Sequence, residues 1–127
     1  MDVLLVIRDR LTCDQVKVGL QQFPEFHVVA GEGYAAINSL RQRQYDCVFL
    51  GVDQQDREGF RLLQHLRGFD RTTEAVVVTN ERNAKDLATE KSKLNIAAFL
   101  HPPIRVTDFF RLVGRMRARK LEAEAKK

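Results

Sequence analysis

Cys47-Val48-Phe49-Leu50, then the polar run 51–57, then Phe60, Leu62, Leu63 and Leu66 form the stretch on which the fold turns. Four consecutive apolar residues, two of them β-branched or aromatic, read as a strand buried on both faces, the kind a parallel sheet contains. The leucines that follow recur at helical spacing and supply one apolar stripe. Gly68 stands where it can cap that helix at its C-terminus. Strand, loop and helix in that order make a βα unit, and the same unit recurs in both directions along the chain.

Upstream, Val3-Leu4-Leu5-Val6-Ile7 is a second fully apolar run. Thr12-Cys13-Asp14-Gln15 has the form of a capping box with Thr12 as N-cap. Val16, Leu20 and Phe23 give the stripe of the helix, and Pro24 stops it. Phe26-His27-Val28-Val29-Ala30 is the next strand, closed by Gly31 and Gly33, and Ala35, Ala36, Ile37 and Leu40 mark the helix after it. Downstream, Ala75-Val76-Val77-Val78-Thr79 is a strand. Residues 83–94 form the least apolar helix, with Ala84, Leu87, Ala88 and Leu94 as a thin inner face, and Asn95 is placed to end it in a left-handed turn. Ile96-Ala97-Ala98-Phe99-Leu100 is the fifth strand. Val106, Phe109, Phe110, Val113 and Met116 read as the inner stripe of a last helix capped near Thr107-Asp108.

Five such units predict an α/β fold, a doubly wound (βα)5 domain whose five-stranded parallel sheet is covered by helices on both faces. In such sheets ligands collect beyond the carboxyl ends of the strands, near the point where strand order reverses. The residues after strands one, three and five are therefore the candidate site.

Composition narrows the class. The chain of 127 residues fits one domain, and 44% hydrophobic with 30% charged residues is ordinary globular composition. No run approaches the roughly 20 apolar residues of a membrane span, and the N-terminus has no basic region ahead of its apolar run. Two cysteines, Cys13 and Cys47, are too few for a disulfide scaffold, so a reducing cytoplasm is expected. Cys13 in a first helical turn invites a lowered thiol pKa, against burial as a small hydrophobe for both cysteines. Histidines 27, 65 and 101 have no metal-ligand spacing.

The net charge of +4 has a location. Residues 105–127 carry eight Lys/Arg and three Asp/Glu, a balance of +5, which leaves −1 for residues 1–104. The basicity belongs to the final helix, whose mixed signs read as a solvated face rather than a nucleic-acid contact. Residues 117–127 are strong helix formers, and Glu122 and Lys126 stand at i, i+4, so the helix is expected to run past the body. A frayed terminus is the other reading of that tail.

The order and spacing of four pieces carry a resemblance. Tyr45-Asp46-Cys47-Val48-Phe49-Leu50, Glu58-Gly59-Phe60-Arg61-Leu62-Leu63, Val78-Thr79 and Ala98-Phe99-Leu100-His101-Pro102-Pro103 together resemble the response-regulator receiver domain, which includes the bacterial chemotaxis regulator. The resemblance spans residues 1–117 and leaves 118–127 as a basic helical extension or linker. It implies a flavodoxin-like sheet of order 2-1-3-4-5. It also implies an acidic pair after strand one for Mg²⁺, an Asp acceptor at the end of strand three, a Thr or Ser ending strand four, and a Lys before a Pro after strand five.

Against that pattern Arg8 replaces the first acid, Asp9 keeps the second, and Gly51 falls on the acceptor position. Glycine carries no nucleophile, so phosphoryl transfer has no acceptor there. Asp53 lies where the family supplies a backbone carbonyl. Thr79 matches the switch Thr, Phe99 the aromatic switch position, Pro102 replaces the Lys, and Pro103 keeps the proline that a cis bond usually precedes. Arg8 is expected to pair with Asp9, Asp53 or Asp56 and close the pocket, or else to point into solvent. Phe99 serves either as a switch or as core.

The expectation is a pseudo-receiver: not an enzyme, with no cofactor, no metal and no membrane contact. It would work through a protein partner or a homodimer on the face of the fourth helix, fifth strand and fifth helix, with a downstream domain in a longer chain. Two further readings are a regulator switched by a small ligand or metal through Asp9 and Asp53, and a nucleic-acid module using the basic helix.

Overall fold

The computed structural model describes every residue except Gln54, Lys126 and Lys127, and the side chain of Ala84 likewise lies outside what is described. Five strands, β1 (Asp2–Val6), β2 (His27–Ala30), β3 (Cys47–Val52), β4 (Glu74–Thr79) and β5 (Ile96–Leu100), alternate with five helices. These are α1 (Arg10–Gln21), α2 (Gly33–Asn38), which runs on into a short 3-10 turn, α3 (Glu58–Arg67), α4 (Ala84–Leu94) and α5 (Val106–Ala125). All pairings are parallel and the order is β2-β1-β3-β4-β5, as the resemblance implies.

Alternation along the strands divides the core into two layers. Leu4, Val6, Val48, Leu50 and Val77 point to the side of α2, α3 and α4. Val3, Leu5, Cys47, Phe49, Val76 and Val78 point to α1 and α5. Leu4, Leu5, Val48, Phe49 and Leu50 are all but sealed from solvent, and each such side chain contributes roughly 1.5–3 kcal/mol relative to exposure. The continuous apolar runs in the sequence follow from this double coverage. No helix among the described residues is long and apolar enough to cross a membrane.

Several local expectations shift. The cap of α1 is Asp9, whose side chain accepts from the Thr12 amide; Thr12 itself lies inside the helix. An aspartate three residues ahead of a threonine competes for the same role, and its charge favours the helix N-terminus. Strand β3 extends through Gly51 and Val52, so the loop begins only at Asp53. Ala88 of α4 is exposed, which leaves Leu87 and Leu94 as its buried contacts among the described side chains. Asn95 does end α4 left-handed, at φ 54°.

The largest correction concerns α5. Its inner stripe is Phe109, Leu112, Val113 and Met116, while Val106 and Phe110 are exposed by 70% and 61%. Two apolar rows share this helix, and only one can face the sheet.

Candidate functional site

The ends of β1, β3, β4 and β5 bring Arg8, Asp9, Gly51, Asp53, Thr79 and Pro102 around one shallow cavity of about 160 Å³. Pro103 lies outside its lining and is exposed, although the Pro102–Pro103 bond is cis. Phe99 is half-buried against the layer of α2, α3 and α4 rather than in the cavity wall.

Each acid at the cavity is already occupied by its own chain. Asp9 Oδ2 accepts from the Thr12 amide at 3.1 Å and from the Thr12 hydroxyl at 2.5 Å. That hydroxyl bond, with the amide bond behind it, holds the Asp9 carboxyl below its ordinary value. Asp53 Oδ1 accepts from the amides of Gln55 (2.7 Å) and Asp56 (2.5 Å), the turn an aspartate forms with its own following backbone. A Mg²⁺ ion needs near-octahedral oxygen ligands. Asp9 and Asp53 each spend one oxygen on a backbone cap, and Gly51 offers no side-chain oxygen between them. No group of three or more acids, histidines or cysteines able to hold a metal occurs among the described residues, so these residues do not fit that ion.

Arg8 does not reach Asp9 or Asp53. Its Nη1 lies 3.1 Å from Asp56 Oδ2 and 3.1 Å from Glu58 Oε2, so Asp56 is the partner foreseen and Glu58 one that sequence reasoning missed. Glu58 also opens α3, where a carboxylate favours the helix dipole. Asp56 is lowered from its ordinary value first by the Glu58 amide, which donates to Oδ1, and then by Arg8. Arg8 remains mostly exposed, so the triad orders the loop more than it stabilises the fold. On its other side, a second cavity of about 310 Å³ is lined by Glu32, Asp56 and Glu58 together with Gly31, Gly33 and Gly59.

Gly51 is held in β3 by close packing. A Cβ built there would lie 2.9 Å from Ile7 Cγ2 and 3.3 Å from Ile7 Cα. A Cβ on Gly59 would collide with the Gly51 carbonyl oxygen itself. The two glycines thus let the start of α3 press onto the end of β3.

A second lock joins the next loops. Glu81 is buried, accepts from Arg57 Nη1 at 2.5 Å, and donates its amide to Thr79 Oγ1 at 3.0 Å. Arg57 also lies over the Phe60 ring at 4.9 Å. His101 Nδ1 contacts the Thr79 carbonyl oxygen at 2.9 Å. Thr79, itself buried, is therefore engaged at both its hydroxyl and its carbonyl. No local pattern announces the Arg57–Glu81 pair, because its members are 24 residues apart on two loops.

Both cysteines are free thiols, Cys47 buried and Cys13 half-buried. Burial raises Cys13 above its ordinary value and raises Cys47 far more. The lowered pKa considered for Cys13 is corrected: burial, and then the neighbouring Asp14 carboxylate, raise it.

The family model of the response regulator receiver domain matches residues 3–113. Comparison with curated proteins gives no match. Among solved structures, a response regulator from Thermotoga maritima superposes with a TM-score of 0.76 at 24% identity, covering 91% of this chain and 95% of that one. Brucella abortus NtrX gives 0.81 at 19% identity, covering 98% of this chain and 28% of that one. A redox sensor of the streptococci, described as evolved from two-component response regulators, gives 0.78 at 15% identity. The match covers 98% of this chain, which spans only 54% of that sensor.

Proposed function

The chain belongs to the response regulator receiver domain family of two-component signalling, and from that premise we propose that it acts without phosphorylation, as a protein-interaction module. One observation carries this reading: the acceptor position is a glycine packed 2.9 Å, at its would-be Cβ, from Ile7. The position lacks a nucleophile and also the room for one. Arg8, paired with Asp56 and Glu58, supplies internally a fixed cation, where an active receiver would recruit one. The Arg57–Glu81 pair and the Thr79 contacts hold the loop before α4 in one arrangement. A two-state element shifts only when something binds its states differently, and this pocket has no place for the usual effector.

The output surface on this reading is the face of α4, β5 and α5, where Lys85, Asp86, Thr89 and Lys93 are exposed around half-buried Phe99. Its mixed charges suit recognition of a polar protein partner. Residues 1–117 form the receiver body and 118–127 the start of an extension. Arg119 of that extension still rests on the body through Glu74 at 2.9 Å.

The test is an amide NMR titration of the full chain with Mg²⁺ and then beryllofluoride. The amides of Asp9, Gly51, Asp53 and Thr79 are expected to stay in place. Concerted shifts there, in Phe99 and in α4 would overturn the reading and restore a working switch.

A further inference from the structure

Five of the large apolar side chains that the fold leaves exposed gather on one face. On α1 these are Leu11 (81%) and Val18 (58%), seven residues apart and so on one side of the helix. On α5 they are Val106, Phe110 and Leu121, along a row completed by Gly114 and Arg117. The two rows flank one seam. Gln15 of α1 reaches the Ile104 carbonyl, Phe109 abuts Gly19, and the Phe110 ring packs edge-on against Phe23 at 5.4 Å.

The row of side chains along the seam is apolar. Arg117, the one charge within the α5 row, is bidentate to Glu25 at 2.6 and 2.7 Å and lies over the Phe23 ring. It therefore brings no free charge to be desolvated. At Gly114 nothing stands within 4 Å of a would-be Cβ, which leaves a flat place where another helix can approach closely. The five side chains expose on the order of 600 Å², at the top of the range for the largest apolar patch on a monomer.

We infer that this α1–α5 seam is where a second copy of this chain docks, about a two-fold axis. Three features select that occupant. Two copies joined here would bury on the order of 1,200 Å² of apolar surface, the lower bound for a specific interface. Around it α1 exposes Arg10, Asp14 and Lys17, and α5 exposes Arg111, Arg115 and Glu122. A two-fold mate can set Asp14 of each copy against the α5 bases of the other, once in each direction. Leu121, 66% exposed near the far end of α5, extends the patch along the helix, where α5 of a mate can cover it. The face of α4, β5 and α5 stays free for the partner proposed above. The dimer does not depend on the state of the pocket, so either proposal can fail alone.

The experiment is sedimentation equilibrium of the full chain from about 1 to 500 μM. The mass is expected to rise to twice that of the chain. Leu11→Asp and Phe110→Asp are each expected to weaken association by on the order of 100-fold, because each change counts twice across the axis. Leu11, which barely packs, keeps the test sound if Phe110→Asp unfolds, and circular dichroism checks both. Lys85→Glu with Lys93→Glu on α4 should leave the mass unchanged. A monomer at every concentration, or a dimer insensitive to Leu11→Asp and broken by the α4 changes, would overturn the inference.

Discussion

Helices α3 and α4 are neighbours on one side of the sheet and are held in opposite ways. α3 buries Phe60, Leu62, Leu63 and Leu66 and pushes its first turn, through Gly59, against the end of β3. α4, one residue longer, is anchored among its described side chains by Leu87 and Leu94. Its remaining ties are at its ends. Asn83 caps the first turn by accepting from the Lys85 and Asp86 amides. Buried Arg67, from α3, donates Nε to the Leu94 carbonyl at 2.8 Å and Nη2 to the Asn95 carbonyl at 3.0 Å. The helix beside the pocket is packed as core, while α4 is fastened mainly by its tips. Low contact density of that kind marks the part of a fold that opens first.

Core truncation separates the two most strongly. Leu63→Ala is expected to destabilise the chain by about 4 kcal/mol in urea unfolding, and Leu87→Ala by about 2, both within the usual range for such cavities. Equal losses would break the comparison. Arg67→Met comes next, with roughly 1–3 kcal/mol lost as the carbonyls of Leu94, Asn95 and Asp70 are left without their donor. Hydrogen exchange should then quicken in α4 and stay slow in α3. Asn83→Ala removes one cap and is expected to cost about 1 kcal/mol, seen as faster exchange confined to the first turn of α4.

Acid gives the smallest and most selective effect. Asp56, which accepts from the Glu58 amide at the start of α3, has a depressed folded pKa, as does Asp9 at the start of α1. Each contribution is full above the ordinary carboxylate range near pH 4 and is lost as pH falls through the depressed folded value. Amides opening α1 and α3 should therefore loosen below about pH 4. The α4 start, capped by the neutral amide of Asn83, should not. Asp56→Asn is expected to flatten the α3 response.

Much of this was legible along the chain. The apolar runs marked all five strands, and β5 was bounded to the residue, because a strand buried on both faces needs an unbroken local run. The thin inner face of α4 and the left-handed Asn95 were equally local. That Arg8 and Gly51 stand where the resemblance implies acids needed only residue identity. The rotation of α5 was not legible. Val106, Phe109, Phe110, Leu112, Val113 and Met116 offer two overlapping rows, and periodicity cannot rank rows of equal hydrophobicity.

Sequence alone therefore determined the βα rhythm, the family likeness and the absence of a carboxylate at position 51, since each is written within a few neighbouring residues. Tertiary structure decided which acids hold Arg8, how Arg57 finds Glu81 24 residues away, and which side of α5 stays bare. Those outcomes depend on where separate loops and helices meet once the sheet has formed, and no short stretch of chain encodes that distance.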